Sequence, residues 1–384
     1  MSKSFPNIQV TSEPLLLAVL SLFAVISFLA VGGLSRLYHL QQESLGNRWF
    51  TRGTADLSAG RFDPAMLEFR TALRYSRDNH SYQLGLAESL IGMKRTQEAY
   101  SYLLNLWERE PENGTVNLLL ARIAAANGQT EQAQRYYHNA IYAVWTGDQQ
   151  GQRRETRFEL IEYLLRINNT AQAQAELIAL AGNIGDDPIQ LRRVGDLFLR
   201  AQDYEHALAE YRLALKSDRH DTADDTGAGV AAFQLGRYPL ALHYLQAAAG
   251  GSVTPETQDL LRITELVLQM DPFQRQLSAA HRNKIVVAAF EKAGARLEAC
   301  GLLSSAKAND TGTPKPDSEP SSAARTWTEL KPRITERGLA RDPDLIESAM
   351  EVVFEIERET ASTCGNPTEA DRALLLISKL HEGR

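Results

Sequence analysis

Two stretches of this chain nearly repeat one another: GRFDPAMLEFRTAL from Gly60 and GRYPLALHYLQAAA from Gly236 share a glycine, an aromatic, an alanine and most of their apolar spacing. Self-similarity at a fixed period constrains a fold more than composition does, because units of about 20–50 residues stack into solenoids or arrays. Stepping by about 34 residues from Ala65 meets Ala99 and Ala133, each flanked by apolar residues at helical spacing. A second series, Ala173, Ala207 and Ala241, keeps the step, while the interval between Ala133 and Ala173 exceeds it by about six residues. The polar run Thr146-Gly147-Asp148-Gln149-Gln150-Gly151 accounts for that excess as a loop inserted between the third and fourth units.

The first unit carries Trp49, Gly53, Phe62, Ala65, Phe69 and Ala72; the fifth has Gly195, Phe198, Tyr204, Ala207, Tyr211 and Ala214; the sixth has Gly229, Tyr238, Ala241 and Ala248. This alternation of small and aromatic residues over residues 46–250 resembles the tetratricopeptide repeat family, with Pro111 where that family closes a unit. The fourth unit departs from the pattern, with Ile161 at the small position of its first helix. Packing explains the pattern: a small residue lets two antiparallel helices approach, and aromatics fill the space on either side. Gly60, Gly128 and Gly236 supply left-handed turns between the paired helices. The resemblance implies an all-α chain, a right-handed α-solenoid of about six helix pairs near residues 46–79, 80–113, 114–147, 154–187, 188–221 and 222–250. No single unit buries its own apolar face, so stacking is obligatory.

Residues 14–34 run without a charge, and a stretch of about 20 apolar residues is the length a bilayer-spanning helix needs. The expectation is a transmembrane anchor over residues 15–35 behind a tail of residues 1–14, with a cleaved signal peptide as the alternative. The side of the membrane stays open. Arg36, Arg48 and Arg52 follow the span, yet long domains cross largely regardless of charge.

Beyond the array, residues 254–300 read as capping helices, one from Thr254 to Met270 and one opened by Asp271-Pro272 and running to Cys300. Residues 302–322 read as a flexible linker, since Ser304 to Ser322 lacks large apolar side chains; residues 323–384 read as a small helical domain. Within it Asp342-Pro343 opens a helix, and Asn366-Pro367-Thr368-Glu369 has the form of a capping box. Cys300 and Cys364, the two cysteines of the chain, each precede a glycine at a helix end, and are read either as a disulfide or as buried free thiols.

A net charge of −7 with interspersed arginines argues against a nucleic-acid partner. No metal-ligand spacing, phosphate loop or nucleophile motif occurs, and Gly227-Ala228-Gly229 falls within a repeat helix, so neither a cofactor, a metal nor an enzymatic activity is expected. The resemblance places a concave groove on the first helix of each pair. Its inward positions are Phe50, Thr54, Leu84, Glu88, Leu118, Arg122, Phe158, Glu162, Arg166, Arg192, Asp196, Arg200, Val230 and Gln234. Such a lining suits an extended peptide or partner helix, with Arg166, Arg192 and Arg200 as a basic cluster for a carboxylate. Some family members hold chaperone tails by a lysine and asparagine clamp, and Phe50, Thr54 and Glu88 occupy those positions here. The expected function is a membrane-tethered protein-binding scaffold at the cell envelope, its large domain periplasmic. The alternatives are a cytoplasm-facing adaptor, or an accessory subunit with activity in the C-terminal region.

Overall fold

A computed structural model describes residues 12–251, 254–303 and 321–382. The tail expected over residues 1–14 lies outside these up to residue 11, and the linker expected over residues 302–322 lies outside them from 304 to 320. The chain divides into two compact units, Met1–Tyr163 and Leu164–Arg384, whose regular elements among the described residues are helices, with one isolated bridge between Asn113 and Val144 in the first. Unit 1 holds α1 (Ser12–Ser58), α2 (Phe62–Tyr75), α3 (His80–Gly92), α4 (Thr96–Arg109), α5 (Gly114–Ala126), α6 (Thr130–Tyr142) and most of α7 (Gln149–Arg166).

Unit 2 continues with α8 (Thr170–Ala181), α9 (Pro188–Arg200), α10 (Tyr204–Ala214), α11 (Thr222–Gln234), α12 (Tyr238–Ala248) and α13 (Pro255–Met270). After these come α14 (Ala279–Ala299), α15 (Ser322–Leu330), α16 (Glu336–Arg341), α17 (Leu345–Thr363) and α18 (Glu369–Glu382). Helices α1 with α2, α3 with α4, α5 with α6, α9 with α10 and α11 with α12 pair as tetratricopeptide-type hairpins, and the first helix of the first pair is the C-terminal end of α1 itself.

The turn inside each pair shows why the period is strict. Gly60, Lys94, Gly128, Asn168, Gln202 and Gly236 all have positive φ, between 57° and 72°. Each opens the same two bonds. The residue after it donates to the carbonyl five residues back at 2.8–2.9 Å, as Arg61 does to Asp56 and Arg237 to Ala232. This closes the helix end in a Schellman motif. The opposite ends are capped by side chains: Asn79, Asn113, Asp187 and Asp221 accept backbone N–H groups at the starts of α3, α5, α9 and α11.

Aromatics of the second helices fill the crossings. Phe69 and Tyr211 are almost wholly buried. A Cβ on Gly227 would sit 2.3 Å from the Tyr211 ring and one on Gly195 3.0 Å, so only glycines on α9 and α11 admit that ring.

The insertion is not a simple loop. Helix α7 is 18 residues long, against 13 for α3, α5, α9 and α11, so Gln149, Gln150 and Gly151 extend the helix. The residues before it turn back: Gly114 donates to the Val144 carbonyl at 3.0 Å and Val144 to Glu112 at 2.9 Å. That turn buries Trp145 over Gly114, with the indole N–H donating to Ala140 at 2.8 Å. The backbone pairing and the indole bond give the extra residues a fixed conformation.

Unit 2 ends in a single core shared by Tyr238 of α12, Ile263 and Val267 of α13, and the apolar faces of α14 to α18. Helix α14 starts at Ala279 with Ser278 as its cap, and not at Asp271-Pro272. Asp271 instead accepts the Phe273 N–H at 2.9 Å in a turn, and the Phe273 ring stacks on His381 at 4.3 Å. The capping box also sits elsewhere than expected: Thr368 N–H donates to Asp371 at 2.8 Å, and Asp371 N–H to the Thr368 hydroxyl at 3.3 Å. Asp259 with Arg372 and Arg262 with Glu369, both 3.2 Å, tie α13 to α18.

Candidate protein-binding surface

In unit 1 the expected lining residues fall on successive first helices. Phe50 of α1 is half-buried, its ring 5.2 Å from Tyr82 and 5.8 Å from Phe69, and Thr54 one turn on is exposed. Leu84 and Glu88 of α3 and Leu118 of α5 are half-buried. Arg122, one turn beyond Leu118, is exposed, yet its Nε and Nη2 donate to the two oxygens of Glu159 on α7, both at 2.8 Å. Tyr137 of α6 donates a third bond to Glu159 at 2.9 Å. Bidentate, charge-assisted geometry of this kind is strong and directional, and the bond that Arg122 donates to Glu159 raises the Arg122 pKa. Burial pushes the Glu88 carboxyl above its ordinary value, with Arg122 opposing that shift. Glu162 is exposed on α7.

Phe158 departs from the expected lining. It is completely buried in the core of α7, and belongs to the packing of unit 1 instead of its surface.

In unit 2 Arg166 and Arg200 are exposed, Asp196 and Gln234 are exposed, and Val230 is half-buried. Arg192 does not complete an open basic cluster. Its Nε and Nη2 donate to Asp224 at 2.6 and 3.0 Å, and Nη2 also pairs with Asp221 at 2.5 Å. Asp224 is 1% exposed, so the guanidinium satisfies a carboxylate that would otherwise be buried and unpaired. These bonds raise the Arg192 pKa, the bond to Asp224 foremost. Asp196 accepts the Tyr211 hydroxyl at 2.6 Å, and burial, then this bond, raises the Tyr211 pKa.

The partners Glu159, Asp221, Asp224, Tyr137 and Tyr211 are absent from the sequence-derived lining. One signal did exist: Arg122 with Glu159 and Arg192 with Asp224 are opposite charges about one repeat apart, where successive first helices meet.

Outside the repeats, Cys300 closes α14 and Cys364 closes α17, with α carbons 5.8 Å apart and the sulfurs joined. Arg296 braces the same place, donating to the Gly365 carbonyl at 2.8 Å and pairing with Asp371 at 3.4 Å.

The tetratricopeptide repeat family matches residues 90–143. No curated protein matches the chain. Among solved structures, a tetratricopeptide repeat protein from Parabacteroides merdae is 14% identical, over 66% of this chain and 93% of its own, with a TM-score of 0.39. PilF of Pseudomonas aeruginosa is 16% identical, over 58% and 99%, with a TM-score of 0.41. PilW, described as a widely conserved type IV pilus biogenesis factor, is 14% identical, over 56% and 98%, with a TM-score of 0.39. Residues 90–143 thus carry a tetratricopeptide repeat, and the helix pairs on either side share its turn and packing positions, so the fold of the array is that of tetratricopeptide repeats.

Proposed function

We propose that this protein-binding scaffold is fixed to a bacterial inner membrane by α1 and takes an extended segment or a helix of a partner on the first-helix faces of its repeats. The observation that carries the tether is the continuity of α1. Leu17, Leu20, Phe23, Ile26, Phe28, Leu29, Val31 and Leu34 are exposed along it, the mean hydropathy of its apolar 18-residue window is 2.5, and the same helix enters the first repeat. Exposing that much apolar surface to water costs about 25 cal/mol per Å², a cost that a bilayer removes.

The joined Cys300 and Cys364 support a periplasmic placement, since disulfides persist in oxidising compartments. Arg36, Arg48 and Arg52 just after the apolar stretch favour the second reading, a cytoplasm-facing adaptor. A reporter active only outside the cytoplasm, fused after Arg384, decides between them. Activity is the expected result, and a silent reporter with a bright cytoplasmic one at the same position overturns the periplasmic placement. Alkaline extraction of the same membranes tests the tether, since a peripheral protein is released and a spanning one is retained.

A further inference from the structure

We propose that the first-helix face of unit 1 is a cation-accepting surface, on which Glu88 takes the ammonium or guanidinium of a basic, amphipathic partner segment whose apolar residues lie along Phe50, Leu84 and Leu118. This deepens the peptide-binding reading above and rests on it. Internal pairing leaves a net acidic position on this face. Arg122, the basic residue of this face, is held by both oxygens of Glu159 at 2.8 Å, and Tyr137 adds its hydroxyl to the same carboxylate. An incoming carboxylate would have to displace Glu159 from a bidentate bond and would meet Glu88 beside it.

Glu88 is in the opposite situation. It is half-buried among first-helix residues, Arg122 acts on it through its field, and no hydrogen bond or ion pair to it is described. A carboxylate partly removed from water and lacking a donor gains most from a ligand that brings one. Leu84 lies one helical turn before Glu88 and Leu118 one turn before Arg122, which sets an apolar row beside the acidic position. A segment with lysines or arginines on the edge of an apolar face matches that arrangement in charge and in spacing.

Fluorescence anisotropy on the full chain in detergent micelles tests this with two probes: a short amphipathic Leu/Lys peptide, and the same peptide with Glu for every Lys. The Leu/Lys peptide will bind the tighter of the two. Glu88→Gln will weaken that binding about tenfold, the worth of one charged hydrogen bond. Glu131→Gln, an exposed acid on α6, will leave it unchanged. Tighter binding of the Leu/Glu peptide, or an unchanged affinity in Glu88→Gln, overturns the inference while leaving the peptide-binding reading in place. Binding of neither peptide overturns both.

Discussion

Glu357 of α17 is a buried acid, 1% exposed, with one carboxylate oxygen lacking a hydrogen bond among the described residues. Burial first, then the charge of Asp371, pushes it from 4.5 up to about 7, against the opposing pull of Arg296 and Lys292. A carboxyl whose folded value lies above its unfolded one stabilises the fold in its protonated form. That contribution is fully present below pH 4.5 and is lost as pH rises through about 7. Glu357→Gln removes the loss. The variant will match the wild type in mild acid and exceed it by about 1–3 kcal/mol in mild alkali, as read from melting temperature against pH. A wild type whose melting temperature climbs relative to the variant between those conditions contradicts this assignment.

At the scale of elements, the within-pair turns are the informative unit. Six of them take the same left-handed residue and the same pair of backbone bonds, but three place Lys94, Asn168 and Gln202 where the others have glycine. A left-handed conformation costs an ordinary L-residue about 1–2 kcal/mol, and asparagine less, so Lys94 and Gln202 carry strain that Gly60, Gly128 and Gly236 avoid. Gln202→Gly will therefore stabilise unit 2 by about 0.5–1 kcal/mol, part of the gain being offset by the looser unfolded chain. The urea midpoint measures it, and a midpoint that falls shows that the side chain, and not the backbone, governs that turn.

For the molecule as a whole, unit 2 shows how a repeat array is brought to an end. The core of α13 to α18 is continuous with Tyr238 of the last pair, and the two ion pairs from α13 to α18 lie on its rim. The Cys300–Cys364 bond closes a separation of 64 residues across this core. A loop of that length is worth about 4 kcal/mol in the chain-entropy account. Reduction, or Cys300→Ser with Cys364→Ser, will lower the melting temperature of unit 2 and leave that of unit 1 unchanged. Calorimetry with and without reductant separates these, and two unaltered transitions would mean that the bond does not form in the isolated protein.

Sequence alone determined the period, the pairing of helices, the small and aromatic crossing positions and the apolar first stretch. Each is a local property, repeated within about 34 residues or carried by a single run of side chains, so each leaves its mark in linear order. Tertiary structure decided the rest. Whether Arg192 is an open cation or the partner of Asp224 depends on which residues of the next helix stack against it, and the spacing of Ala173, Ala207 and Ala241 does not record that. The longer α7 and the turn that buries Trp145 follow from where six extra residues found hydrogen bonds and packing, and a polar composition reads only as a loop. The Asp-Pro pair at Asp271 fits a helix start and a turn equally well in local terms, and the stacking of Phe273 on His381, a residue more than a hundred positions away, selects the turn. Local preferences are worth tenths of a kcal/mol to about one, and a buried aromatic contact or a desolvated ion pair exceeds them, so the non-local term settles every such ambiguity.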